Sequence, residues 1–386
     1  MIERQLKETL ALRAAQFPVL TITGPRQSGK TTLVRECFPA YDYVNLEDPA
    51  TRELAERDYK RFLSLHHAPV IIDEIQRVPQ LASAIQVMVD QKRSARGQYI
   101  LTGSHQPLLH QTVSQSLAGR SAFLRLLPLS LAEQQSVLSD DRMAVDDCIL
   151  RGGMPELAIT DTPPDVYYRA YLQSYLERDV RQIANIRQAS AFNRFLVLLA
   201  ARTGQLLNLN SLSGEVGVSH TTLAEWLDVL EASFVVFRLR PYFANVGKRL
   251  VKTPKLYFSE TGLAASLLGL RTTAQVSRDP LRGNLFENLV VSDILKRKCN
   301  RDEDGDLFFF RTSDGLEVDV LRRCENGWQP VEIKSSMTWS RSLESGLDKY
   351  RTLFPDAVSP MLVYAGDTIP ATEQNSIDVR NYLEFD

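Results

Sequence analysis

The sequence predicts an α/β protein whose first third is a parallel sheet, and three observations carry that reading. From residue 19 to about 130, apolar runs alternate with helical stretches, the pattern of parallel strands covered by helices on both faces. The first run, Val19 to Thr23, feeds a glycine-rich turn that opens a helix. The run from Pro69 ends in two carboxylates, Asp73 and Glu74. In an open sheet of this class ligands sit beyond the carboxyl ends of the strands, where both features fall.

The elements follow in order. The opening stretch, MIERQLKETLALRAAQ, reads as a charged amphipathic helix without the apolar core of a signal peptide. Strand-like runs are VLTIT (19–23), YDYVNL (41–46), PVIID (69–73), QYILTGS (98–104) and AFLRLLPL (122–129). Helical stretches at 30–37, 49–65, 79–94 and 107–117 separate them. Residues 131–200 read as helices, including VYYRAYLQSYLERDVRQIA with its aromatic residues at helical spacing. At 204–243 a short helix, a turn at Gly217, a second helix capped by Ser219 and a strand match a helix-turn-helix with a wing. GNLFENLVVSDILKRK (283–298) is a helix, and LFFFRT, GLEVDVLRR and WQPVEIKSS are three strands with short turns.

Residues 18–33 read PVLTITGPRQSGKTTL, and Gly24 to Thr31 fits G-x-x-x-x-G-K-[ST], the phosphate loop of nucleoside triphosphatases. The glycines let successive N–H groups turn inward on a polyphosphate, and the following helix adds its positive end. The expected nucleotide contacts are Gly24, Pro25, Arg26, Gln27, Ser28, Gly29, Lys30, Thr31 and Thr32. Lys30 is of a length to reach the β- and γ-phosphates, and the Thr31 hydroxyl to ligate Mg²⁺. Asp73 then holds Mg²⁺ and Glu74 polarises the attacking water. At the end of the next strand Thr102 and Ser104 can sense the γ-phosphate or orient that water. Arg120, before the fifth strand, is a candidate for stabilising transition-state charge, in its own subunit or across an interface. Gly152 and Gly153 form a turn that packs closely, and Asp179 with Arg181 reads as a surface ion pair on a helix.

Composition bounds the rest. With 386 residues, 44% hydrophobic and 24% charged, the chain is expected to be soluble and to hold two to four domains. A net charge of -2 makes no global case for nucleic acid, so any basic surface is local. The four cysteines lack C-x-x-C pairing and suit a reducing cytosol, and the five histidines lack metal spacing. No apolar stretch is long enough to span a membrane, and a cytoplasmic protein is expected.

Two further constellations stand in the second half. Lys248, Arg249, Lys252 and Lys255 lie beside Tyr242, Phe243 and Tyr257, and basic residues among aromatics suit a nucleic-acid backbone. A solvated face or a contact with another domain is the alternative. Glu287 on a helix, Asp319 in GLEVDV and Glu332 with Lys334 in VEIK form an ordered acid set. Glu332 and Lys334 share a strand face, so Asp319 and Glu332 can share one Mg²⁺ with Glu287 close by and Lys334 activating water.

GPRQSGKTT, VIIDEIQ, LTGS, LAGR, LRGGMPE, YLERDV, KRLVKTPKLYFSETGL, LFENLV and the EVD-to-EIK pair occur in the order seen in bacterial and archaeal ATPases of the AAA+ class that carry a C-terminal domain of unknown function 4143. The chain resembles that family from about residue 15 to 340. The resemblance implies a P-loop ATPase core (1–130), a helical lid (131–203), a winged helix-turn-helix (204–262) and a small α/β domain resembling restriction endonucleases of the PD-(D/E)XK type (263–386). It implies ATP and Mg²⁺ as cofactors, with Lys30, Thr31, Asp73 and Glu74 as their contacts, Arg120 as the family arginine, and Glu287, Asp319, Glu332 and Lys334 in the nuclease-like positions. Glu260, in YFSETG, stands where related sequences usually have Asp. Two functions remain open. One is an ATPase that moves winged and nuclease-like parts on DNA, as a homo-oligomer if the ring habit of the wider class is kept. The other is a nucleotide-dependent switch whose nuclease-like fold is inert and binds a protein partner.

Overall fold

The computed structural model describes residues 2–92, 94–104, 116–174, 188–243, 250–303, 307–370 and 377–385. Asp179, Arg181, Lys248, Arg249 and nearly all of the expected helix at 107–117 lie outside the described residues. The chain forms two compact units: residues 1–129 with 232–234 and 296–303, and residues 130–231 with 235–295 and 304–386.

In the first unit five parallel strands run β1 (Val19–Thr23), β2 (Asp42–Asn45), β3 (Val70–Asp73), β4 (Tyr99–Gly103) and β5 (Ser121–Arg125), in the spatial order β2-β3-β4-β1-β5. The three central strands are buried along their whole length, whereas β5 at the edge alternates. Side chains on a strand point alternately to the two faces, and here that alternation builds two cores. Val19, Val70, Ile72, Tyr99 and Leu101 pack with Phe62 and Ile85 on one face. Leu20, Ile22, Ile71 and Ile100 pack with Leu6, Leu10, Leu33 and Val34 on the other. Helices α1 (Leu6–Gln16), α2 (Lys30–Cys37), α4 (Tyr59–Leu65) and α5 (Leu81–Gln91) supply those partners, and α3 (Pro49–Arg57) adds Ala55 to the first core. The stretch 49–65, expected as one helix, is two. Asp58 leaves the helical conformation and its carboxylate caps the Arg61 N–H at 2.9 Å, starting α4 afresh.

The second unit begins with helices. In α6 (Val145–Arg151) the chain ends on Gly152 at φ 64°, where an added Cβ would lie 2.5 Å from both Glu260 Oε2 and Tyr168 Oη. Glu260 accepts the Gly153 N–H at 2.7 Å and Tyr168 donates to the Arg151 carbonyl at 2.8 Å, so the GG turn is a joint between segments a hundred residues apart. Helices α7 (Leu209–Val216) and α8 (His220–Ala232) meet at Gly217, and Ser219 Oγ accepts the Thr222 N–H at 3.1 Å.

A mixed seven-stranded sheet follows, ordered β12-β11-β10-β9-β8-β6-β7. Its members are β6 (Val236–Pro241), β7 (Lys255–Phe258), β8 (Leu307–Arg311), β9 (Glu317–Cys324), β10 (Gly327–Lys334), β11 (Met361–Tyr364) and β12 (Asp378–Asn381). Strands β6 and β7, which the sequence suggests as the wing of a separate unit, extend this sheet through the β6–β8 pairing. Helix α9 (Arg282–Asn300) carries Asn288, which accepts the Phe258 N–H at 2.7 Å and donates to the Phe258 carbonyl at 2.9 Å, fixing the edge strand β7. Among the described residues no helix is long and apolar enough to cross a membrane.

Candidate functional site

The phosphate loop follows from what its residues allow. An added Cβ on Gly24 would stand 2.1 Å from the Leu126 carbonyl oxygen, so only glycine lets the loop leave β1 this close to the chain after β5. Gly29 caps α2 without a side-chain hydrogen bond, so the first-turn N–H groups of Lys30, Thr31 and Thr32 face outward for an anion. Lys30 is buried and donates to the carbonyls of Gly24 at 3.0 Å and Pro25 at 2.8 Å. Burial lowers its pKa to about 8, against the pull of Glu74 and Asp73.

The parallel register brings the strand ends together. Asp73 closes β3, and its Oδ2 accepts from Thr31 Oγ1 and from Tyr43 Oη, both at 2.8 Å. Thr102, from β4, donates to the other oxygen. Glu74 adopts φ 57°, a left-handed conformation, and takes Gln76 Nε2 and, at 3.3 Å, the Ser104 hydroxyl. Burial pushes the Glu74 carboxyl up, against the pull of Lys30. Two buried oxygens, Ser28 Oγ and Gln76 Oε1, have no hydrogen-bond partner. The Ser28 hydroxyl, on the loop before an uncapped helix end, can donate to a bound polyphosphate, the Gln76 amide oxygen can accept from a water beside Glu74, and the touching Thr31 and Asp73 fit an octahedral Mg²⁺ that takes few protein oxygens.

Three residues add to what the sequence singles out. Arg4 is buried and donates to the carbonyls of Ser28 and Leu127, both at 2.7 Å, clamping the loop from the N-terminal segment. Tyr43 and Gln76 complete the surroundings of the acid pair. Gln76 stands two residues after Glu74 in VIIDEIQ, a usable signal, whereas nothing local marks Arg4 or Tyr43. Arg120 is not brought to the loop. It precedes β5 at the level of Val19, four residues and about 13 Å from the carboxyl end of β1, and it pairs with Asp90 at 2.7 Å. Arg26 stands on the loop with its guanidinium 4.0 Å from Glu47.

In the second unit Glu287, Asp319, Glu332 and Lys334 are brought together, and Lys255 joins them. Lys255 is a correction to the expected nucleic-acid contacts: it is 2% exposed, with Nζ 2.9 Å from Glu287, 2.6 Å from Glu317 and 3.6 Å from Asp319. Burial opposes its charge, but Tyr257, Glu287, Asp319 and Glu317 outweigh burial and hold its pKa well above the ordinary value. Lys252 is exposed. Lys334 lies 2.5 Å from Glu332 and 3.7 Å from Asp319, which push its pKa up to about 12 against the opposing effect of burial. Burial and Asp319 push Glu332 up to about 8. Asp319 Oδ2 also accepts the Ile333 N–H at 2.9 Å. Glu332 Oε2 is buried and lacks a hydrogen-bond partner. Among the described residues no three His, Cys, Asp or Glu side chains are arranged to hold a metal ion.

A parallel sheet ordered β2-β3-β4-β1-β5, with the loop after β1 and an acid pair after β3, defines a P-loop nucleotide-binding domain of the ATPase type. Comparison with known proteins agrees. Residues 16–135 match the AAA domain, 142–274 a domain of unknown function (DUF8612) and 282–382 a domain of unknown function (DUF4143). An uncharacterized protein of Mycobacterium tuberculosis is 33% identical over 359 residues, covering 90% of this chain and 78% of its own. One from Haemophilus influenzae is 25% identical over 357 residues, covering 83% of each chain. Among solved structures, the Walker-type ATPase of Pyrococcus abyssi is similar with TM-score 0.45 and 13% identity, over 69% of this chain and 96% of that one. The chain belongs to the family of AAA+-class P-loop ATPases that join an AAA domain to DUF4143, together with the mycobacterial protein.

Proposed function

We propose that the chain is a Mg²⁺-dependent ATPase whose nucleotide state switches the behaviour of its second unit. One observation carries the reading: Lys30 and Thr31, on the helix after β1, meet Asp73 and Glu74, at the end of β3, with Thr31 Oγ1 2.8 Å from Asp73 Oδ2. Lys30 gives up its two carbonyl acceptors for phosphate oxygens, and the N–H groups of α2 hold the remaining negative charge. Glu74, steadied by Gln76 and Ser104, takes a proton from the attacking water, and Ser104 reports the γ-phosphate to that same carboxylate. Thr31 and Asp73 would hold the Mg²⁺, which when bound neutralises phosphate charge.

For the output, a protein partner is favoured over duplex DNA. The second helix of the helix-turn-helix, α8, carries Glu225, Asp228 and Glu231 and neither lysine nor arginine. Arg238, beside it, is engaged by Glu231 and Asp228. A helix of that charge repels the phosphates it would have to approach. Binding to duplex DNA at low salt that weakens steeply as salt rises would restore the DNA reading. Lys30→Ala is expected to abolish ATP turnover in pure protein, since charge contacts to the transferred phosphate are worth several kcal/mol; a variant that still turns over ATP would refute the assignment.

A further inference from the structure

The acid cluster of the second unit holds a cation of its own. Glu287, Glu317 and Asp319 converge on Lys255 Nζ at 2.9, 2.6 and 3.6 Å, and the Lys255 side chain is 3% exposed. Its position is built in at both ends. Asn288 pins the backbone of β7 through both polar groups of Phe258, and Tyr257 Oη donates at 2.6 Å to the same Glu287 oxygen that receives the ammonium. A divalent ion bonded to that oxygen at about 2.1 Å would lie no more than about 5 Å from Nζ, a like charge in a buried place. The ammonium and the ion compete for one set of oxygens, and the ammonium is covalently held there.

We propose that Lys255 takes the place of a metal ion on Glu287 and Asp319, so that these two carboxylates carry no divalent cation and, with Glu317, serve to hold β7 to α9 and β9. The nuclease-like arrangement is then a structural ion cluster without metal-dependent cleavage. This inference is independent of the nucleotide site in the first unit.

The test is a Mn²⁺ titration of the nucleotide-free full chain, with free Mn²⁺ read by electron paramagnetic resonance. Wild type and Asp319→Asn should bind the same amount of Mn²⁺, and the wild-type melting temperature should not move with the metal. Lys255→Met should melt lower, gain one Mn²⁺ per chain, and melt higher when Mn²⁺ is added; the added ion should be lost in the Lys255→Met, Asp319→Asn double variant. Should Lys255→Met fail to fold, the comparison of wild type with Asp319→Asn decides alone, with near-ultraviolet circular dichroism verifying the fold of the variant. Wild type that binds an ion which Asp319→Asn loses overturns the proposal, as does a folded Lys255→Met that gains none.

Discussion

Lys30 holds its charge inside the loop against burial, which brings its pKa down to about 8. Phosphate oxygens in place of two carbonyls raise that pKa again. Below pH 8 the ammonium is already formed and nucleotide binding takes up little proton at this residue. Above pH 8 binding must draw a proton onto Lys30, so ATP affinity falls as pH rises from 8 toward the ordinary lysine value. Calorimetry in two buffers of different ionisation heat should show proton uptake appearing in that window, and a profile flat from pH 7 to 10 would contradict it. At this scale the loop and its acids were legible in the sequence, because a G-x-x-x-x-G-K-T string and an apolar strand ending in Asp-Glu each restrict the backbone locally. Lys255 was not. Its neighbours Lys248, Arg249 and Lys252 make it look like part of a basic surface, and only the pairing of β7 turns it into the acid cluster.

At the scale of elements, the phosphate loop depends on a segment that carries no nucleotide motif. Arg4 holds two carbonyls, one with each terminal nitrogen, so Arg4→Ala leaves buried acceptors without donors at a cost of about 1–3 kcal/mol. ATP affinity should fall about tenfold, with Arg4→Lys restoring only part; equal affinity in all three proteins by calorimetry would remove the clamp from the account. The joint at the end of α6 makes a sharper demand. Gly152→Ala meets positive φ and two oxygens at 2.5 Å together, and should lower stability by about 2–4 kcal/mol in a denaturant titration. A midpoint unchanged from wild type would show that Tyr168 and Glu260 yield freely. The GG pair was readable as a close-packed turn, but its partners were not, since Glu260 and Tyr168 come from distant segments. The break at Asp58 was likewise hidden, because helical periodicity continues across it. The strands β6 and β7 followed a helix-turn-helix closely enough to read as its wing, and only long-range pairing with β8 assigns them to the larger sheet.

At the scale of the molecule, the chain combines a nucleotide-binding unit with a second unit that carries an acidic second helix in its helix-turn-helix and a buried cluster of carboxylates and lysines. The parallel order of the first sheet was legible because strand and helix alternate there without interruption. The seven-stranded sheet was legible only in its three middle strands, since its remaining members come from segments on either side of α9. ATP hydrolysis is the claim on which the rest depends, and Glu74 is where it is most exposed. The direct measurement is ATP binding and turnover, with Mg²⁺, of the full chain beside its Glu74→Gln variant. Wild-type turnover is expected, with a variant that binds ATP within a few-fold of wild type while turning over about a hundredfold more slowly. A wild-type chain that binds ATP without hydrolysing it, or a Glu74→Gln variant with undiminished turnover, would contradict it.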